Sequence, residues 1–177
     1  MDADFARRAL RAARLDAQLF EEVENDPRAT VQAGGVVVLA AVAAGVGSGA
    51  RGFGEILLGT VAALVSWFVW AYLAYWIGTR LLPEPATRAN HGELLRAVGF
   101  ASAPGMLRVL GVIGPLQGLV FLVAGLWMLV ATVIAVRQAL DYESTWRALG
   151  VSAIGWVVQA VLLATTLWLL GGPGRPA

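Results

Sequence analysis

The stretch Leu94-Leu95-Arg96-Ala97-Val98-Gly99-Phe100-Ala101-Ser102-Ala103-Pro104-Gly105-Met106-Leu107-Arg108-Val109-Leu110-Gly111-Val112-Ile113 decides how this chain is read. It has the length of a membrane span, about 20 residues, but it carries Arg96, Arg108, three glycines and Pro104. A proline inside a helix removes one backbone hydrogen bond and frees a carbonyl. A bilayer tolerates that only where protein or a water-filled cavity supplies a partner. The segment is therefore expected to be a helix broken between Gly99 and Pro104. Such a break either marks a site or is a plain proline kink satisfied by Ser102 and neighbouring helices.

Outward from this segment the chain is more regular. It is 58% hydrophobic and 14% charged, with a mean hydropathy of +0.70, too apolar for a water-soluble globule. Long apolar blocks run from about Val31 to Ala50, Ile56 to Leu81, Leu116 to Val136 and Ala148 to Leu170. The expected architecture is all-α: a polytopic bundle of five transmembrane helices, the third broken, preceded by an amphipathic helix. The domains read as residues 1–29 (amphipathic helix and linker), 30–171 (membrane bundle) and 172–177 (a short disordered tail). In the first span, small residues recur every four positions at Ala40, Ala44 and Ser48 and at Ala41, Gly45 and Gly49, a pattern that lets helices approach closely and offers a route to self-association. The second span holds Trp67, Phe68, Trp70, Tyr72, Tyr75 and Trp76, read as lipid and helix packing with an interfacial belt at its end.

From Phe5 to Val23 the residues Phe5, Ala9, Ala12, Leu15, Leu19, Phe20 and Val23 share one helical arc, with Arg7, Arg11 and Arg14 opposite. Such a helix lies in the membrane interface or packs its apolar face on the spans. No uninterrupted apolar leader is visible, so the N-terminus is expected to be retained. With the N-terminus inside, ten arginines fall in the cytoplasm and three outside, whether the chain spans five times or the third segment is re-entrant. The positive-inside rule thus sets orientation and leaves the span count open.

Enzyme chemistry has no visible constellation. The chain has no cysteine and a single histidine, His91, read as a solvated loop residue. Its carboxylates are scattered at helix ends, so no catalytic, metal or cofactor residues are assigned. Gly47-Ser48-Gly49-Ala50-Arg51-Gly52 matches the G-x-G-x-x-G pattern by chance, since it follows a membrane helix and lacks an acidic partner. A net charge of +1 gives no reason to expect nucleic acid. An ionisable group within the bilayer is held mainly for function, and Arg108 is the best such candidate, although it lies near enough to the segment end to snorkel.

Gly99-Phe100-Ala101-Ser102-Ala103-Pro104 resembles the Gly-Tyr-x-x-x-Pro motif in the third helix of the Ypt/Rab-interacting protein (YIP) family, with Phe100 in the place of the tyrosine. Glu24-Asn25-Asp26-Pro27 and the connection Val136 to Leu149 are similar to segments of its prokaryotic members. The resemblance implies a cytoplasmic N-terminal segment, five closely spaced helices and an adaptor rather than an enzyme. The Asp-Leu-x-Gly-Pro motif of the Rab-binding eukaryotic members is absent, so a prokaryotic-type member without a Rab partner is implied. The site residues expected on this reading are Gly99, Phe100, Pro104 and Arg108 at the helix break. Arg7, Arg11, Arg14, Asp141, Glu143 and Arg147 would form a cytoplasmic docking face. The expected setting is the cell membrane, with the bilayer and a membrane or cytoplasmic protein as partners. The alternative function is a small carrier or lipid-handling protein that uses the broken third helix.

Overall fold

The computed structural model describes residues 3–171; the tail 172–177, expected to be disordered, lies outside the described residues. The amphipathic segment is two helices where the periodicity predicts one, α1 (Ala3–Ala13) and α2 (Ala17–Glu24). Leu15 takes a left-handed φ of 62° at the break. Asp16 then caps α2, its carboxylate accepting from the Gln18 backbone N–H at 3.1 Å. An aspartate stabilises a helix start better than a helix interior, and a period count alone misses that competition. Of the two placements open to the amphipathic helix, the structure takes the bundle. Phe5, Ala9, Ala12, Leu19, Phe20 and Val23 are all buried against the spanning helices.

Four segments are individually long and apolar enough to cross a membrane: Ala29–Gly47, Phe53–Leu81, Gly114–Ala139 and Thr145–Leu162. The first three contain α3 (Ala29–Gly47), α4 (Phe53–Trp76) and α6 (Gln117–Ala139), and the fourth is the start of α7 (Thr145–Gly171). The fifth pass is composite. Helix α5 (His91–Ala101) starts on a capping box, in which the Asn90 side chain accepts from the Glu93 backbone N–H and Glu93 accepts from that of Asn90. It ends before Pro104, and a 3-10 segment, Ala103–Val112, carries the chain onward. Runs of 3-10 helix beyond three or four residues are uncommon; this one is sandwiched between α3 and α6. At about 1.5 Å per residue in the α part and 2.0 Å in the 3-10 part, the pass reaches about 36 Å, enough for a hydrocarbon core of about 30 Å.

The register decides what charge counting leaves open. A Cβ built at Gly99 would lie 2.7 Å from Ala33 Cβ, one at Gly105 would lie 3.2 Å from Ala40 Cβ, and one at Gly47 would overlap the Arg108 carbonyl oxygen. The third pass therefore runs parallel to α3 and keeps level with it from one end of the bundle to the other. A re-entrant loop would double back. The chain thus traverses the bundle five times, with α4 and α6 antiparallel to α3.

Near its end α4 widens into a π-helical turn, Ile77–Leu81, which the sequence reading does not contain. Gly78 makes room there for Leu140, and the Tyr142 hydroxyl lies 2.9 Å from the Gly78 carbonyl and 2.7 Å from that of Leu82. A π-turn shifts the backbone hydrogen-bond ladder, and the tyrosine meets the carbonyls that result. The α4 aromatics divide by helical spacing: Trp67 and Trp70 are buried, while Phe68, Tyr72 and Trp76 are exposed on the outer face.

Candidate functional site

The bundle has two chemically distinct regions: a polar end beside α1 and α2, here called proximal, and a cavity in the distal half. At the proximal end two sets of side-chain bonds join distant chain segments. The Arg96 guanidinium donates to the backbone carbonyls of Val23, at 3.0 Å, and Glu24. The third-pass arginine is therefore a clamp on the C-terminal end of α2, where orphan carbonyls and the helix dipole both favour a cation. The Gln138 side-chain amide donates to Glu21 at 2.8 Å, joining α6 to α2. In the 82–90 linker, Glu84 pairs with Arg147 and accepts from the Glu143 backbone N–H at 2.8 Å, and Arg147 donates to the Pro83 carbonyl at 2.5 Å. Arg137 closes the Leu140 to Ser144 turn by donating to the carbonyls of Tyr142 and Glu143.

Of the expected docking residues, half are already engaged. Arg7 pairs with Asp4 at 2.5 Å, Arg11 with Asp16 at 2.7 Å and Glu22 at 2.6 Å, and Arg147 with Glu84. The hydrogen bonds from Arg11 hold the Asp16 and Glu22 carboxyls below the usual range. Arg14, Asp141 and Glu143 are exposed and their side chains make no hydrogen bond or ion pair among the described residues. His91 is not a solvated loop residue. It sits in the first turn of α5, its ring 5.6 Å from that of Tyr72 and 6.5 Å from that of Tyr75. Glu24, which the sequence places at the end of the amphipathic helix, is half-buried. Burial first, then Asp141, Glu93 and Glu21, push its carboxyl up from 4.5 to about 7.

The distal cavity has a volume of about 820 Å³, within the range of small-ligand sites. One wall is the α4 stripe Glu55, Gly59, Ala63, Ser66 and Trp70; another is Ala41, Ala44, Gly45 and Ser48 of α3; Trp156 and Gln159 of α7 face them. Of the small-residue stripe expected to support self-association, Ala40, Ala41, Ala44, Gly45 and Ser48 line this cavity and Gly49 does not.

The helix-break residues go separate ways. Gly99 seats the third pass on α3, where an added Cβ would strike Ala33 and lie 3.1 Å from Trp67. Phe100 and Pro104 are fully buried. Only Arg108 reaches the cavity, its guanidinium 5.6 Å from the centre of the Phe121 ring. Three residues per 3-10 turn place Ser102, Gly105, Arg108 and Gly111 on one face, and that face meets α3 and the cavity. The period-three pattern in the sequence was the signal that would have aimed Arg108 inward. Trp67, Trp70 and Gln159 were also missed as cavity residues; the lone amide in the apolar α7 was their visible mark.

Among the described residues no group of three or more His, Asp or Glu side chains is placed to hold a metal ion. Five helical passes with an apolar exterior and one interlocked polar end define a polytopic membrane protein. The Yip1 domain model matches residues 18–167, and the chain belongs to that family. No curated protein and no solved structure matches it.

Proposed function

We propose that this Yip1-family protein is a non-enzymatic membrane adaptor or organiser, seated in the cell membrane with its N-terminus and proximal end in the cytoplasm. The observation that carries the reading is a polar end held by side-chain bonds between distant segments: Arg96 and Gln138 tie α2 to α5 and α6, and Glu84 and Arg147 tie the 82–90 linker to the connection that opens α7. A surface assembled from distant chain segments and fixed before any partner arrives binds with little ordering cost. Its free groups are Asp141 and Glu143, and Trp146, 82% exposed beside the turn, is the residue type that anchors interfaces or the membrane boundary.

The absence of cysteine permits a direct test. A single Ser144→Cys variant is labelled with a membrane-impermeant maleimide in intact and permeabilised cells, and protection in intact cells is expected. Labelling from outside refutes the cytoplasmic docking face. Mild crosslinking in cells followed by purification should then capture a protein partner, with capture lost in Asp141→Arg/Glu143→Arg. Undiminished capture by the double variant removes those residues from the interface, and repeated failure to capture any partner refutes the adaptor reading.

A further inference from the structure

The distal cavity contains polar atoms that no described residue satisfies. Arg108 makes no hydrogen bond or ion pair among the described residues, and its Nε is buried without a partner. Trp70 Nε1 and Gln159 Oε1, which also line the cavity, are buried and unpaired among the described residues. Buried polar groups normally have partners, and each exception calls for an explanation, such as strain, a water or a bound ligand; three of the six orphaned atoms among the described residues gather on this one cavity. The one carboxylate on the wall, Glu55, accepts from the Arg51 backbone N–H at 2.9 Å and so closes the first turn of α4. It makes no ion pair with Arg108.

The cavity is also graded along its length. Arg108 lies level with Gly47 in the last turn of α3, and Glu55 is in the first turn of α4, so the charged groups sit at the distal mouth. From Glu55 to Trp70 the α4 wall descends about 22 Å at 1.5 Å per residue, roughly two thirds of the hydrocarbon core. The deeper walls are Val37, Trp67, Met128 and Trp156. A cation at headgroup depth above a long apolar slot matches the shape of a lipid. A guanidinium recognises phosphate by paired hydrogen bonds.

We propose that the distal cavity binds one anionic amphiphile, its phosphate headgroup on Arg108 and its acyl chain in the slot between α3, α4 and α7. The long 3-10 segment serves this site by placing Arg108 on the same face as Gly105 and Gly111, toward the cavity rather than the lipid.

The test places a cysteine at Ser66, deep on the α4 wall, in the cysteine-free chain. Protein is reconstituted in vesicles of phosphatidylcholine alone or with one part in four of phosphatidylglycerol, and the rate of labelling by a small thiol reagent is measured. The anionic lipid is expected to slow labelling roughly tenfold, the effect of about 1.4 kcal/mol of charge-assisted binding. Arg108→Gln should abolish the difference between the two lipids. Gly59→Phe, at a position where an added Cβ meets nothing within 4 Å, should fill the slot and block lipid protection without disturbing the fold. It keeps the proposal testable if Arg108→Gln misfolds. Equal protection by both lipids, or protection indifferent to Arg108→Gln, overturns the proposal. Protection by inorganic phosphate in pure phosphatidylcholine also overturns it and assigns the site to a soluble anion.

Discussion

Replacing Arg96 with methionine keeps most of the apolar stem and removes the guanidinium from the end of α2. Arg96 is buried, with 9% of its surface exposed, and donates to two backbone carbonyls that end α2. Hydrogen bonds to a charged group contribute about 1.5–3 kcal/mol each, and a cation at a helix C-terminus adds about 0.3–1 kcal/mol. The carbonyls partly recover water once the clamp is gone, so the expected net loss is about 3 kcal/mol, borne by the docking of α2. Such a loss raises the open population of α2 roughly a hundredfold. Amide hydrogen exchange over Ala17–Glu24 reads it directly, with the exposed Arg88→Met as the control. Exchange that speeds up at α2 and not in α6 is the expected result. Unchanged protection at α2 would refute the clamp and leave the apolar contacts of Leu19, Phe20 and Val23, with the Gln138–Glu21 and Arg11–Glu22 bonds, to hold that helix.

Three further outcomes are expected. Gly47→Ala forces a Cβ onto the Arg108 backbone, which only a separation of α3 from the third pass relieves. Overpacking of this kind costs about 1–3 kcal/mol, so a lowered melting temperature is expected, while Gly59→Ala at an open position should be neutral or slightly stabilising. Glu24 has a folded-state pKa of about 7, above the ordinary 4.5. The folded chain therefore retains a proton that the unfolded chain releases between those values. That stabilisation is complete below about pH 4.5 and is lost as pH rises through 7, amounting to about 1 kcal/mol after solvent screening. Glu24→Gln should flatten the melting-temperature profile between pH 5 and 8, and an unaltered profile would assign the dependence to another group. Tyr142→Phe leaves the Gly78 and Leu82 carbonyls without the hydroxyl. A loss of about 1–2 kcal/mol is expected, with faster exchange confined to the π-turn and the 140–144 turn.

Composition and periodicity by themselves determined the class of this protein. Blocks of about twenty apolar residues have few ways to satisfy their backbone except as membrane helices, and Pro104 kinks or ends an α-helix because its nitrogen carries no hydrogen and its ring meets the preceding turn. The family resemblance rested on the same local signals, the Gly99 to Pro104 break and its place among the spans. The break of the amphipathic helix at Leu15 was less legible, because capping by Asp16 competes with a period that fits straight through it. The packing residues were hidden for a different reason. Whether Ala41, Ala44 and Gly45 seat a neighbouring helix or leave a cavity depends on what α4, α6 and α7 place opposite them, and that is a long-range property. The same is true of the two awkward arginines: Arg96 is satisfied by carbonyls more than seventy residues away in the chain, while Arg108 is aimed by a 3-10 segment packed between α3 and α6. Charge counting tied between four and five passes because it sums over loops. The close contacts of Gly99, Gly105 and Gly47 broke the tie, since only a full traverse keeps two segments parallel and level over the height of the bundle.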